Sequence, residues 1–219
     1  MNKEIKQLLQ VNGALAENEV KDILNSYGIQ TTRYQVVETQ EDIKQITLTF
    51  PVALKVCSRS ILHKTDVDGV KLNIQNKDDL LRIFTALKKK FPNERFIVDE
   101  MVEKGVEAII GLVKDPTFGL TIMTGVGGIY TELYQDVSFR VVPIVAYDAK
   151  EMIEELMGKK LLDGFRNIKT DTEQFIQLIF KVSKIGEELL DRIDQMDLNP
   201  VFIYEKGYCV VDAKMILKE

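Results

Sequence analysis

The sequence is poor in the residues that most often announce a site: its 219 residues include one histidine, His63, and two cysteines, Cys57 and Cys209. A single histidine argues against a zinc centre. The two cysteines lie far apart inside apolar runs, which reads as buried thiols in a reducing compartment and not as a disulfide framework. Basic charge is in deficit as well. Lysine and arginine total 29 against 34 acids, a formal net charge of -5. A protein that neutralises nucleic-acid phosphates needs a basic face or stripe, and none is visible, so Lys88, Lys89 and Lys90 read as a solvated helix end. No apolar run approaches membrane-spanning length and the N-terminal stretch has no apolar signal core. The expectation is a cytoplasmic protein with neither nucleic acid nor membrane as partner.

Also missing are low-complexity tracts, internal repeats and any Pro/Ser/Gly linker. What remains is the composition of a soluble globular protein, 45% hydrophobic and 29% charged. That is enough chain for one large domain or for two small lobes sharing a cleft.

Local patterning predicts mixed helices and strands. Leu15, Val20, Ile23, Leu24 and Tyr27 are spaced for a helix over 14–27 that Gly28 stops. A strand follows at 34–37, then a helix capped by Thr39 and running to about Leu48, and a compact strand at 52–56. The polar stretch 58–69 reads as a loop before a strand at 70–74. Asn76 caps a helix through Lys90, and 95–102 returns to strand. In the second half, 106–113 and 120–124 form an antiparallel pair around the turn D-P-T-F-G. A strand at 137–145 precedes two helices, one from near Asp148 with Glu151 at capping-box spacing, the other from Thr172 to about Arg192. The chain closes with a hairpin, 196–204 and 208–217. The fold class is α+β, with two α+β lobes, 1–99 and 100–219, facing one cleft.

Polar residues that interrupt strands point to chemistry, because a charge in a β run either faces water or meets a partner. Lys55 is either a solvent-facing position or a fixed cation for phosphate. Asp197 and Asn199 share one face of a strand, and Asp212 lies on its partner. With a two-residue turn at Glu205-Lys206, Tyr204 pairs with Gly207 and Asn199 stands opposite Asp212. A three-residue turn with a bulge would shift that register by one. Oxygen ligands on neighbouring strands suit magnesium, though ordinary polar positions in a hairpin look the same. The cluster G-V-G-G at 125–128 can present amides to an anion, but it has neither dinucleotide-turn nor P-loop spacing. His63, beside Lys64, Thr65 and Asp66 in the polar loop, is placed where an imidazole can act as nucleophile.

These features fall into one order. The segments E-V-K-D-I-L-N-S-Y-G-I (19–29), F-P-V-A-L-K (50–55), H-K-T-D (63–66), D-E-M-V (99–102) and G-V-E-A-I-I-G-L-V-K-D-P-T-F-G (105–119) lead the series. They are followed by G-V-G-G-I-Y-T-E (125–132), D-V-S-F-R (136–140), D-L-N-P (197–200) and V-D-A (211–213). In that order and over essentially its whole length, the chain resembles the ATP-grasp beta subunit of ADP-forming acetate–CoA (acyl-CoA) ligases. The resemblance implies an ATP-grasp fold with ATP/ADP held between two lobes. It also implies that Glu100 and Val102 offer backbone groups to adenine, that Glu107 lies near the nucleotide and that Lys55 contacts phosphate. Asn199 and Asp212 match the Mg2+ positions. His63 matches the histidine that relays a phosphoryl group to ADP, and Arg140 is a further phosphate contact or a strand-surface ion pair.

The implied reaction converts acyl-CoA, ADP and phosphate into carboxylic acid, CoA and ATP through an acyl phosphate and phosphohistidine. CoA binding, acyl-phosphate formation and the first phosphohistidine belong to an alpha-type partner subunit, which implies a hetero-oligomer. Two positions depart from the family pattern: Asp68 stands where a glycine is common, and Asp197 where succinyl-CoA relatives carry glutamate. Two other readings use the same residues. Another ATP-grasp carboxylate ligase would not need His63, and a nucleotide-sensing module would not catalyse.

Overall fold

In the computed structural model the described residues are 3–128, 135–165 and 168–218. The chain opens with a short helix α1 (Lys3–Leu8), a two-residue strand β1 (Gly13–Ala14) and helix α2 (Glu17–Ser26). Gly28 ends that segment at φ 68°, a left-handed conformation that glycine adopts without steric cost. The pattern was legible from Leu15 onward, whereas α1 was not expected.

A four-stranded sheet follows, from β2 (Tyr34–Val37), β3 (Val52–Cys57), β4 (Val70–Ile74) and β5 (Arg95–Glu100), in the order β2-β5-β3-β4. Two helices cover one face. In α3 (Gln40–Lys44) Thr39 caps the N-terminus by accepting the Asp42 N–H, and the helix stops well short of Leu48. In α4 (Lys77–Lys90) the Asn76 side chain accepts the Asp79 N–H at 2.9 Å, as its spacing predicts. Leu80, Phe84 and Leu87 on one stripe of α4 pack on Val52, Leu54, Phe96 and Val98.

A larger sheet contains β6 (Val106–Asp115), β7 (Gly119–Val126), β8 (Val137–Val141), β9 (Ile193–Ile203), β10 (Tyr208–Val210) and β11 (Ala213–Leu217). Its order is β1-β11-β9-β6-β7-β8, with β10 also paired to β9. The helices α5 (Ala146–Glu154), α6 (Lys159–Leu162) and α7 (Thr172–Glu188) belong to this part. The helix expected to begin near Asp148 starts at Ala146, with Val145 as N-cap; Asp148 lies in its first turn, and its carboxylate accepts the Val145 N–H at 2.8 Å.

The cores divide unevenly between the sheets. Ile5, Leu9, Val20, Ile23, Leu24 and Ile29 from the N-terminal segment join the core of the larger sheet. The small sheet therefore occupies a continuous middle stretch, while the large one draws strands from both ends of the chain. A third cluster, Ala16, Cys57 and Ile97, fastens the start of α2 to the second face of the small sheet. β3 is buried at all six positions as a result, Lys55 among them.

Candidate nucleotide and phosphoryl-transfer site

The covered second face of β3 rules out a solvent-facing Lys55. Its side chain is 7% exposed, with Nζ 2.7 Å from Glu17 Oε1 and 2.9 Å from Asp99 Oδ2. Glu17 opens α2 and is the hub of a buried network. It also accepts Lys21 at 3.0 Å and makes a short contact with Lys64. Lys21 reaches Asp99 Oδ1 at 2.6 Å and Thr32 Oγ1 at 2.8 Å. Lys64 reaches Asp212 Oδ1 at 3.0 Å. Three cations thus meet three carboxylates, so the buried charge is balanced.

The network sets the protonation states. Burial pushes the Glu17 carboxyl up, but attraction to Lys55, Lys21 and Lys64 outweighs it and holds the group well below the usual carboxylate range. Burial acts to lower Lys55, yet Glu17, Asp99 and Asp212 raise it well above an ordinary lysine. Lys64 is raised by Glu17 and Asp212 against the same penalty. Lys55 and Lys64 are therefore held as cations, Lys55 in the wall of the cleft.

Directly above lies a cavity of 370 Å³ between the sheets. Ala53, Lys55, Val70, Leu72, Glu100 and Val102 line it from the small-sheet side. From the hairpin come Asn199, Phe202 and Asp212. Apolar walls with a few polar groups at one end suit a ligand with a flat apolar part and a charged tail. The connector 101–105 runs along its edge. Neither backbone group of Val102 is taken by a hydrogen bond among the described residues, while the Glu100 N–H already donates to Arg33 O at 2.9 Å.

The hairpin register is the one a two-residue turn requires. The Tyr204 N–H donates to Gly207 O at 3.0 Å and the Asn199 N–H to Asp212 O at 3.1 Å, so Asn199 stands opposite Asp212. An amide and a carboxylate are hard oxygen donors, and magnesium commonly takes one or two such protein ligands and leaves its other positions to phosphate and water. The pair suits such an ion at the charged end of the cavity, which Lys55 also lines. Asp197, one strand turn away, is raised by burial, opposed by Lys214 and reinforced by Asp212.

The remaining candidates lie elsewhere. His63 is exposed and makes no hydrogen bond among the described residues; its neighbour Lys64 is buried, and Thr65 lines the cavity. Glu107 lines a second, larger cavity of 970 Å³ that shares Lys104 with the first. There the Gly127 N–H donates to Glu107 O at 2.6 Å, and a Cβ at Gly127 would come within 2.9 Å of the Glu107 side chain. Residues 129–132 of the glycine-cluster motif lie outside the described residues. Arg140 does not line either cavity. It grips Glu155 with both terminal nitrogens, at 3.0 and 2.6 Å, and that bond and Ser138 hold the Glu155 carboxyl at about 2. Of its two readings, the strand-surface ion pair is the one present.

Asp68 has φ 55°, in the left-handed region where a side chain is strained and glycine is favoured. Sequence reasoning missed Glu17, Lys21, Thr32 and Asp99, and did not single out Lys64 as an anchor. The available signal was the i,i+4 spacing of Glu17 and Lys21 on a helix that faces a strand lysine.

A family model described as an ATP-grasp domain matches residues 7–217, and the chain belongs to the ATP-grasp family. Among curated proteins it is similar to the beta subunit of ADP-forming acetate–CoA ligase II from Pyrococcus furiosus, 38% identical, covering 96% of this chain and 94% of that one. It is also similar to ADP-forming acetate–CoA ligase II from Archaeoglobus fulgidus, 39% identical over 94% of this chain but only 30% of the relative. The chain thus spans about a third of the length of such longer relatives. Among solved structures it resembles the dinucleotide-forming acetyl-coenzyme A synthetase 1 of Ca. Korarchaeum cryptofilum in complex with coenzyme A and Mg-AMPPCP, whose phosphohistidine segment points towards the nucleotide binding site. The TM-score is 0.80 at 41% identity, covering 94% of this chain and 93% of that one. Among the described residues no helix is long and apolar enough to cross a membrane.

Proposed function

We propose that this chain is the nucleotide-binding subunit of an ADP-forming acyl-CoA synthetase (acetate–CoA ligase) and moves a phosphoryl group between His63 and ADP. The observation that carries the reading is the single cavity that gathers Lys55, Glu100, Val102, Asn199 and Asp212 from elements far apart in the chain. Residues 1–99 and 100–219 supply the two lobes, with the N-terminal segment packed on the second. The adenine edge meets the backbone at Glu100 and Val102, and the ring lies between Leu72 and Phe202. Glu107 serves the nucleotide from the adjoining cavity. Lys55 holds a phosphate.

Asn199 and Asp212 hold Mg2+, which neutralises phosphate charge when bound. In the ATP-forming direction a terminal oxygen of ADP bonds to phosphorus as the P–N bond of phosphohistidine breaks, the bonding pair goes to the ring nitrogen, and that nitrogen takes up one proton from solvent to leave His63 as neutral imidazole. Little covalent chemistry falls to the protein, so positioning and charge supply most of the rate. Arg140, held by Glu155, fixes the strand edge without contacting phosphate. The His63 imidazole is first phosphorylated by a CoA-binding alpha subunit, the second half of a hetero-oligomer that works in the cytoplasm.

The test is labelling. The chain co-expressed with its CoA-binding partner and given radiolabelled ATP and Mg2+ should acquire acid-labile, base-stable phosphate. His63→Asn should abolish the label and leave ADP binding intact, and chelation of Mg2+ should abolish it reversibly. Full ATP-forming turnover by His63→Asn with its partner would refute the relay and favour a ligase that forms acyl phosphate directly.

A further inference from the structure

The residue after the phosphoryl carrier is itself part of the metal site's surroundings. Lys64 is buried, and its ammonium bridges Glu17 on α2 and Asp212 on β11's approach, 3.0 Å from Asp212 Oδ1. That oxygen also accepts the Ala213 N–H at 3.0 Å. Asp212 thus already has one counter-charge from within the chain. The same lysine is the inward stake of its loop. The Gly69 N–H donates to Lys64 O at 2.7 Å, the Asp68 N–H to Thr65 O at 3.0 Å, and the Gly69 carbonyl accepts the Val56 N–H of β3 at 2.8 Å. A Cβ at Gly69 would press within 3.0 Å of Lys64 O and Val56, so this closure is tight. Elsewhere the loop is tied by Arg59, which pairs with Glu19 on α2, by Lys90, which donates to Val67 O at 2.7 Å, and by the Asp68–Lys71 pair.

We infer that Lys64 is a positioning residue that stands in for the metal at Asp212, so that cation binding there and anchoring of the His63 loop oppose each other. A divalent ion on the free oxygen of Asp212 would share one carboxylate with an ammonium a few ångströms away, and like charges that draw on one counter-ion weaken each other's hold. Linkage makes the effect reciprocal: whatever a bound cation subtracts from the Lys64 anchor, the anchor subtracts from cation affinity. The loop that carries His63 is therefore held while the nucleotide site is empty of metal and loosened when metal and ADP arrive.

The inference rests on the proposed metal position, and the experiment separates the two. Mn2+ serves as probe, with ADP, on the intact chain. Hydrogen exchange at the Asp68 and Gly69 amides of the unaltered protein should speed up roughly tenfold when Mn2+ and ADP are added to ADP alone, a coupling in the usual range. In Lys64→Met, where Lys21 and Lys55 still balance Glu17, Mn2+ affinity by electron paramagnetic resonance should rise about tenfold. Exchange at those two amides should then no longer respond to metal. Exchange that slows or stays unchanged on metal binding in the unaltered protein overturns the inference, as does equal or weaker Mn2+ affinity in Lys64→Met. If Asp212→Asn binds Mn2+ as the unaltered chain does, the metal position itself is wrong and the inference falls with it.

Discussion

Glu17 is the residue on which three buried lysines depend, and its loss should be felt more than that of any ligand-facing group. Replacing it by glutamine leaves Lys21, Lys55 and Lys64 short of one counter-charge, and breaking a buried pair costs about 3–5 kcal/mol. Chemical denaturation at pH 7 should report that difference. Its pH dependence has a definite sign. Because the folded Glu17 pKa lies below the unfolded value, its contribution is complete above the ordinary carboxylate range and disappears as pH falls through the folded value. The gap between Glu17→Gln and the unaltered chain should be flat from pH 7 to 5 and close only under stronger acid. At Asp68, a glycine relieves the left-handed strain but loses the Lys71 pair and adds unfolded-chain entropy, so its net effect should stay within about 0.5 kcal/mol. Isoleucine should cost about 1–2 kcal/mol more, as thermal melts would show. Lys55, Asn199 and Asp212 were legible because each breaks a strand pattern that the sequence displays. Glu17 was not, since an acid opening an amphipathic helix looks solvated, and its partner Lys55 lies 38 positions on.

Elements were read more easily than their ends. The Asn76 cap, the D-P-T-F-G turn and the hairpin register all follow from side chains within four residues of one another. Local hydrogen bonds decide them before packing does. Strand 137–145 was overextended because Val142 and Ile144 are buried and join the core beyond the last paired residue; the Val142 N–H still donates to Leu120 O at 2.9 Å, but the Ile144 N–H turns to Ser183 Oγ at 3.2 Å. The connector between the sheets makes its own demand. A Cβ at Gly105 would overlap the Ile203 carbonyl oxygen and press on Tyr204. Gly105→Ala should therefore cost about 1–3 kcal/mol and, by pushing the connector from β9, weaken ADP binding more than a distant core change of equal cost. Calorimetric titration beside a denaturation series would separate the two effects.

At the scale of the molecule, the buried ion network joins the sheets beside the apolar cluster of Ala16, Cys57 and Ile97. Lys55 and Asp99 belong to the small sheet, and Glu17 to a helix packed on the large one. Lys55→Met should lower cooperativity, so that fluorescence and far-ultraviolet signals no longer unfold at one urea concentration, whereas two coincident transitions would show the sheets joined by other means. Mg2+ with ADP at a hundred times its dissociation constant should raise stability by about 2.7 kcal/mol if the cavity is the site. The two-lobed architecture could be anticipated from sequence, but the return of the N-terminal segment to the far sheet could not, because pairing of Gly13 with Leu217 has no local signature. That pairing bears on how the chain is made. The small sheet is contiguous and can assemble as soon as β5 has left the ribosome. Leu15, Val20 and Ile23 must wait for β11, so apolar surface made before the small sheet is covered only after it and is a natural client for a holding chaperone.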